Sequence, residues 1–149
     1  MKIFIAGDHN ATNTIDVVIN YFKDSFDIVK LGDNYDGDDY PDFAFKLCNE
    51  VLSNKESFGV LICGNGIGMS IAANKVKNIR AARITNIDDA IKCKIHNGVN
   101  VLCMGSNLSN DLIISMINTY INTSSPNEER HIRRINKIIK YENGEYNEL

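Results

Sequence analysis

The chain has 149 residues, 44% hydrophobic and 23% charged, enough for one domain with a core of its own. Its 16 basic and 19 acidic side chains give a formal charge of -3, which argues against a protein that wraps nucleic acid. No apolar run reaches the roughly 20 residues of a membrane span and the N-terminus has no signal-peptide pattern, so a cytoplasmic protein with no nucleic-acid or membrane partner is expected.

In chain order, "KIFIAG" (2–7) reads as a strand ending at a glycine, and Ile15, Val18, Ile19 and Phe22 recur at helical spacing. "FDIVKLG" is a second strand, followed by a helix beginning near Pro41 and marked by Phe43, Leu47 and Val51. "FGVLICG" (58–64) is a continuous β-rich run, the pattern of a strand buried on both faces. "IRAARIT" and "NVLCMG" make two more strands; Ile87/Ala90/Ile91/Ile95 and Leu108/Leu112/Ile113/Met116/Ile117/Tyr120 mark the helices after them. Ser125, Pro126 and Glu128 form a capping-box signal for a last helix with Ile132, Ile135 and Ile139 as its apolar stripe. The expectation is an α/β, Rossmann-like three-layer sandwich on a five-stranded parallel sheet, one domain over 1–140, and a loosely held polar tail over 141–149.

Ligands of such sheets bind outside the carboxyl ends of the strands. Asp8 and His9 follow the first strand, Tyr40 lies in the long second loop, Cys63 ends the third strand, His96 and Asn97 precede the fifth, and Asn107 follows it. These groups are expected to meet in one crevice. Asp8 as a helix cap, and each histidine as a satisfied core or surface residue, are the plainer alternatives.

Cys48, Cys63, Cys93 and Cys103 are not in CxxC spacing, so a metal site or disulfide framework is not expected. "CGNGIGMS" (63–70) sets three glycines behind the third strand. Its spacing is not the dinucleotide fingerprint G-x-G-x-x-G, and it carries no P-loop lysine. The remaining pattern is a strand, a tight turn and a helix start near Ile67, whose N–H groups form a nest for a phosphate, carboxylate or enolate. A thiol at the head of that helix gains nucleophilic or basic character, although buried cysteines are more often inert packing. On "ERHIRRINKIIK", Arg130 and Arg134 stand one turn apart with Lys137; they form either a solvated basic face or a phosphate clamp, possible in a neighbouring subunit.

"AGDHN", "DYPDFA", "GVLICGNGIGMSIAANK", "IRAAR", "HNGVNVLCMGS" and "RHIRR" occur in the order and spacing of the type B ribose-5-phosphate isomerase family, which includes galactose- and allose-phosphate isomerases. The chain resembles that family over residues 2 to about 139. The resemblance implies a metal- and cofactor-free aldose–ketose isomerase acting on a phosphorylated pentose through a cis-enediolate, as a homodimer or homotetramer with sites shared between subunits. It implies Cys63 as the base that moves the proton between C2 and C1, and His96 as the acid that opens the furanose. Asn65, where the family usually has a Thr or Ser, would be the third catalytic residue. The N–H groups over Gly64, Gly66, Ile67 and Gly68 would hold the enediolate oxygen. Asp8, His9, Tyr40 and Asn97 would line the sugar site, with Arg130 and Arg134 on the phosphate.

Three departures bear on substrate. Asn65 has a longer side chain than Thr or Ser. Asn107 stands where the pattern has a phosphate-binding arginine, whose loss costs about 1–3 kcal/mol if it made a charged hydrogen bond. Glu129 replaces a glycine beside Arg130. A six-carbon sugar phosphate is therefore the second expectation, and a non-catalytic binding module on the same fold the third.

Overall fold

A computed structural model describes residues 1–148. Five strands, β1 (Lys2–Gly7), β2 (Asp27–Lys30), β3 (Ser57–Cys63), β4 (Ala81–Arg83) and β5 (Val101–Gly105), form one sheet in the order β2-β1-β3-β5-β4, every pairing parallel. The helices are α1 (Thr12–Phe22), α2 (Tyr40–Ser53), α3 (Ile67–Ala73), α4 (Ile87–Ile95), α5 (Asn110–Asn122) and α6 (Glu129–Glu142), with a short 3-10 turn over His9–Ala11. The expected α/β sandwich is what forms.

Alternation along the strands builds the layers. Ile3, Ile5, Val60, Ile62, Leu102 and Met104 point to one face, covered by α1, α4 and α5 through Ile15, Val18, Phe22, Ala90, Ile113, Met116 and Ile117. Phe4, Ala6, Leu61, Cys63, Val101 and Cys103 point to the other, covered by α2 and α3 through Phe43, Leu47, Val51, Met69 and Ala73. Both faces are buried, so the strands read as apolar runs rather than as polar–apolar alternation. From β1 the order runs one way to β2 and the other way to β3, so the carboxyl ends of β1 and β3 flank the topological switch point.

The last helix departs from expectation. It starts at Glu129 with Glu128 at the N-cap and no side-chain cap, so Ser125 and Pro126 precede it. Pro126 and Ile135 instead converge on Gly98 in the α4–β5 turn, within about 3.4 Å of where a side chain there would begin. That contact takes the place of the capping box. Of the expected stripe only Ile135 is buried, while Ile132 is 42% exposed. In the tail, Lys137 pairs with Glu148 at 2.8 Å, and the Tyr141 and Tyr146 rings meet edge to face at 6.3 Å.

Candidate active site

At the carboxyl end of β3, Cys63 is 5% exposed, and its Sγ accepts the Gly66 N–H at 3.2 Å. Gly66 sits at φ 80°, and a Cβ there would lie 2.9 Å from the Met104 carbonyl carbon. Conformation and space both require glycine, and that tight turn aims the amide at the sulfur. A donor directed at sulfur suits the thiolate. For the other three thiols, burial pushes Cys48 up to about 12 and Cys93 up to about 11, and raises Cys103 well above the ordinary range. They are packing residues.

The nest is partly occupied by the protein itself. Asn65 Oδ1 accepts the Ile67 N–H at 3.0 Å, while Asn65 O accepts from Arg83 Nε at 2.8 Å. Gly66 and Ile67 thus donate within the loop, and of the four expected amides Gly64 and Gly68 are left to a ligand. Gly68 leaves room for Tyr40, the first residue of α2, whose ring lies directly over it. Asn107 Oδ1 folds over Gly105, against which Asn65 also packs.

Across the switch point, Asp8 caps the turn after β1, its Oδ1 accepting the Asn10 N–H at 3.0 Å. The capping role is therefore the one it plays in this structure. His9 is held by Asp38, a residue the sequence reading passed over: His9 Nδ1 lies 2.7 Å from Asp38 Oδ1, which also accepts the His9 backbone N–H at 3.0 Å. Asp38 and Arg83 are the two site-shaping residues missed. The acid-rich "DNYDGDD" after β2 was the available signal for the first. Nothing local marked Arg83, because its partner is a main-chain oxygen 18 residues away.

The remaining candidates do not join this crevice. His96, the C-cap of α4, and Asn97 lie in the turn that enters β5, and that turn is at the amino edge of a parallel sheet. β5 from Val101 to Gly105, about 13 Å of strand, separates them from the Cys63 end. Expecting one crevice within the chain overlooked that a loop before a strand and a loop after it lie at opposite edges. At the amino edge the His96 ring stacks on that of His131, centroids 4.2 Å apart. His131 is buried, its Nε2 without a hydrogen bond and 4.0 Å from Glu128 Oε2; burial first, then the charges of His96 and Arg130, lowers its pKa against the pull of Glu128. Arg80 holds the turn, its guanidinium donating to the carbonyls of Asn97 and Gly98 at 2.8–3.1 Å. Arg130 and Arg134 are exposed on α6 beside this pair, Arg130 bonding Glu128 at 2.8 Å.

The chain therefore carries two separate sets. A thiol, glycine nest, tyrosine and histidine stand at one edge; a histidine pair with two arginines stands at the other. Among the described residues no group of His, Cys, Asp and Glu could hold a metal ion, and no helix is long and apolar enough to cross a membrane.

Known proteins share this sequence pattern and this fold. Residues 3–138 match the family model described as Ribose/Galactose Isomerase. A probable ribose-5-phosphate isomerase B of Mycoplasma genitalium is 39% identical, with 95% of each chain covered. The crystal structure of ribose-5-phosphate isomerase B from that organism, with bound ribulose-5-phosphate, superposes with a TM-score of 0.90 at 38% identity, covering 95% of this chain and 96% of that one. The type B ribose 5-phosphate isomerase of Trypanosoma cruzi gives 0.90 at 40% identity, covering 97% and 99%. A galactose-6-phosphate isomerase subunit of Clostridium acetobutylicum is 30% identical over 98% of this chain and 88% of its own. Over nearly its whole length, glycine loop included, the chain belongs to the ribose/galactose isomerase family.

Proposed function

We propose that the protein is an aldose–ketose isomerase interconverting D-ribose 5-phosphate and D-ribulose 5-phosphate in the pentose phosphate pathway, in the cytoplasm. The observation that carries this reading is the Gly66 N–H on Cys63 Sγ at 3.2 Å, at the switch point of the sheet. A base is needed there that can take a proton from carbon and return it. In the opened aldose the Cys63 thiolate removes the C2 proton; the electrons of the broken C–H bond form the enediolate, its charge resting on oxygen. The same thiol then delivers the proton to C1, and the hydroxyl proton shifts between O2 and O1 to leave the ketose. The Gly64 and Gly68 amides would hold the developing oxyanion, a preorganised donor set of the kind worth about a hundredfold or more per donor.

The furanose must first open, which asks for an acid at the ring oxygen, and the phosphate asks for cations. His96 and the Arg130–Arg134 pair have the right chemistry at the wrong edge of their own subunit. We infer that each site is completed by a second copy, which brings His96, Asn97, Arg130 and Arg134 to the Cys63 crevice of its partner. Uncovered apolar side chains support such a surface: Ile67 and Ile71 on α3 beside the glycine loop are 46% and 57% exposed, and Ile132 and Ile138 on α6 are 42% and 46% exposed. The four free thiols fit a reducing compartment.

The deciding assay follows ribose 5-phosphate turnover by the unmodified chain and by Cys63→Ala. Turnover by the former and loss of at least a thousandfold by the latter are expected. Undiminished activity in Cys63→Ala removes the assigned base, and binding of ribose 5-phosphate without turnover by the unmodified chain would make this a binding module. Asn107, a neutral side chain over Gly105, favours a second reading in which the sugar has six carbons, in line with the galactose-6-phosphate relative. A higher kcat/KM for allose or galactose 6-phosphate than for ribose 5-phosphate would select it.

A further inference from the structure

Asp38 is the most completely engaged charged side chain of the molecule, and the reaction above gives it no task. Its carboxylate is fully buried. Oδ1 takes the His9 ring and the His9 backbone N–H; Oδ2 takes Asn34 Nδ2 at 3.1 Å and the Tyr35 N–H at 3.2 Å. Asn34 Nδ2 also donates to Gly7 O at 2.6 Å, which ties the loop to the end of β1. The amide cannot be turned over, because its oxygen would then face two acceptors. Asparagine, aspartate and histidine therefore form one rigid chain from the strand end to the crevice. A buried ion pair adds little net stability once desolvation is counted, so stability alone is a weak reason for it.

We propose that Asp38 is a positioning residue for His9: its buried carboxylate engages Nδ1 and leaves Nε2–H as a cationic donor to the anionic end of the substrate. The inference rests on reading the Cys63 crevice as a sugar-phosphate site. The His9 side chain is 39% exposed, so one ring nitrogen meets the carboxylate while the other remains accessible. The groups facing the ring are acidic: Asp8 on its own turn, and Asp36 and Asp38 from the loop before α2. The Asp38 hydrogen bond raises the His9 pKa above 6.5, against some desolvation, and the three carboxylates add to the rise. For Asp38 itself, burial works upward but is outweighed by the bonds from His9, Asn34 and Tyr35, which bring it to about 2. The two shifts favour the carboxylate–imidazolium form of the pair, and His9 stays cationic to a higher pH than a free histidine would. Arg83, also at this edge, has its Nε held by Asn65 O.

The test uses the full chain and the isosteric substitution Asp38→Asn. Above pH 6.5 KM for ribose 5-phosphate should rise, by up to about tenfold, the scale of one charged hydrogen bond, with kcat changed far less. At pH 6 the ratio of the two KM values should fall toward one, because an ordinary imidazole is by then largely protonated. The substrate's own titration, with a second phosphate pKa of about 6, cancels in that ratio. A loop staple without influence on His9 would give a ratio independent of pH, and that result, or a loss confined to kcat, overturns the proposal. A second readout needs no turnover and no variant: nitrogen-15 spectra of the unmodified chain should show His9 titrating above 6.5 with Nδ1 engaged. Titration at or below 6.5 overturns the proposal even where Asp38→Asn does not fold. If His9 titrates as expected but ribose 5-phosphate is not turned over, the isomerase reading fails while the Asp38–His9 assignment stands.

Discussion

At the scale of single residues, Asn65 has two jobs that one substitution can separate. Its Oδ1 accepts the Ile67 N–H and so shapes the turn; its Nδ2 is free to donate to a ligand of the loop. Asn65→Asp keeps the acceptor, removes the donor and adds a charge where an enediolate and a phosphosugar must enter. We expect Tm to hold within a few degrees while kcat/KM falls about tenfold or more, since like charge raises the cost of both the thiolate and the oxyanion. Alkylation of Cys63 by iodoacetamide should slow in parallel. If Tm falls and the alkylation rate is unchanged, the side chain serves the turn alone. The position was visible in the sequence as a departure, but its structural role was not: an Asx-type bond to the amide two residues on depends on backbone dihedrals that composition does not specify.

At the scale of elements, β4 has only three residues, yet it reaches the glycine loop from the edge of the sheet. Arg83 closes the strand, pairs in register with Cys103 of β5, and extends past it to the Asn65 carbonyl. The loop that bears Cys63 is thereby fastened to the sheet from outside. Arg83→Gln should lower kcat/KM about tenfold with little change in Tm, because the side chain is exposed and its one protein bond is to the loop; steady-state kinetics and thermal unfolding check both. The elements themselves were legible where burial on both faces makes a strand continuous in apolar residues, as in "GVLIC", and where helices keep a 3.6 period, as in Ile113, Met116, Ile117 and Tyr120. The glycine turn and the start at Ile67 were equally plain. Less legible was α6. Its start is set by Pro126 and Ile135 packing against Gly98, a contact between segments that lie far apart in sequence, and local capping chemistry yielded to it. The tail's return onto Lys137 is of the same kind.

At the scale of the molecule, the placement of His96 matters most. Strand direction in a parallel sheet puts it at the amino edge, so grouping seven side chains by their nearness to strand ends joined His96 and Asn97 to five others from which one subunit keeps them apart. If a second copy supplies the missing set, two defective chains can repair one another. Cys63→Ala retains its own His96 and arginines; His96→Asn retains its own Cys63 and glycine loop. In a hybrid dimer one site joins the two damaged halves and the other joins the two intact ones. Each variant alone should be nearly inactive toward ribose 5-phosphate. Unfolding and refolding them together at equal concentration should recover about a quarter of the unmodified activity, because half the dimers are hybrid and each holds one working site of two. Light scattering on the unmodified chain should give at least twice the 16.7 kDa of one copy. A monomeric mass, or no recovery in the mixture while each homogeneous variant refolds, would place both halves of the site in one chain. That outcome would require α6 and the α4–β5 turn to cross the length of β5, and the Arg80 bonds to Asn97 and Gly98 hold that turn where it is.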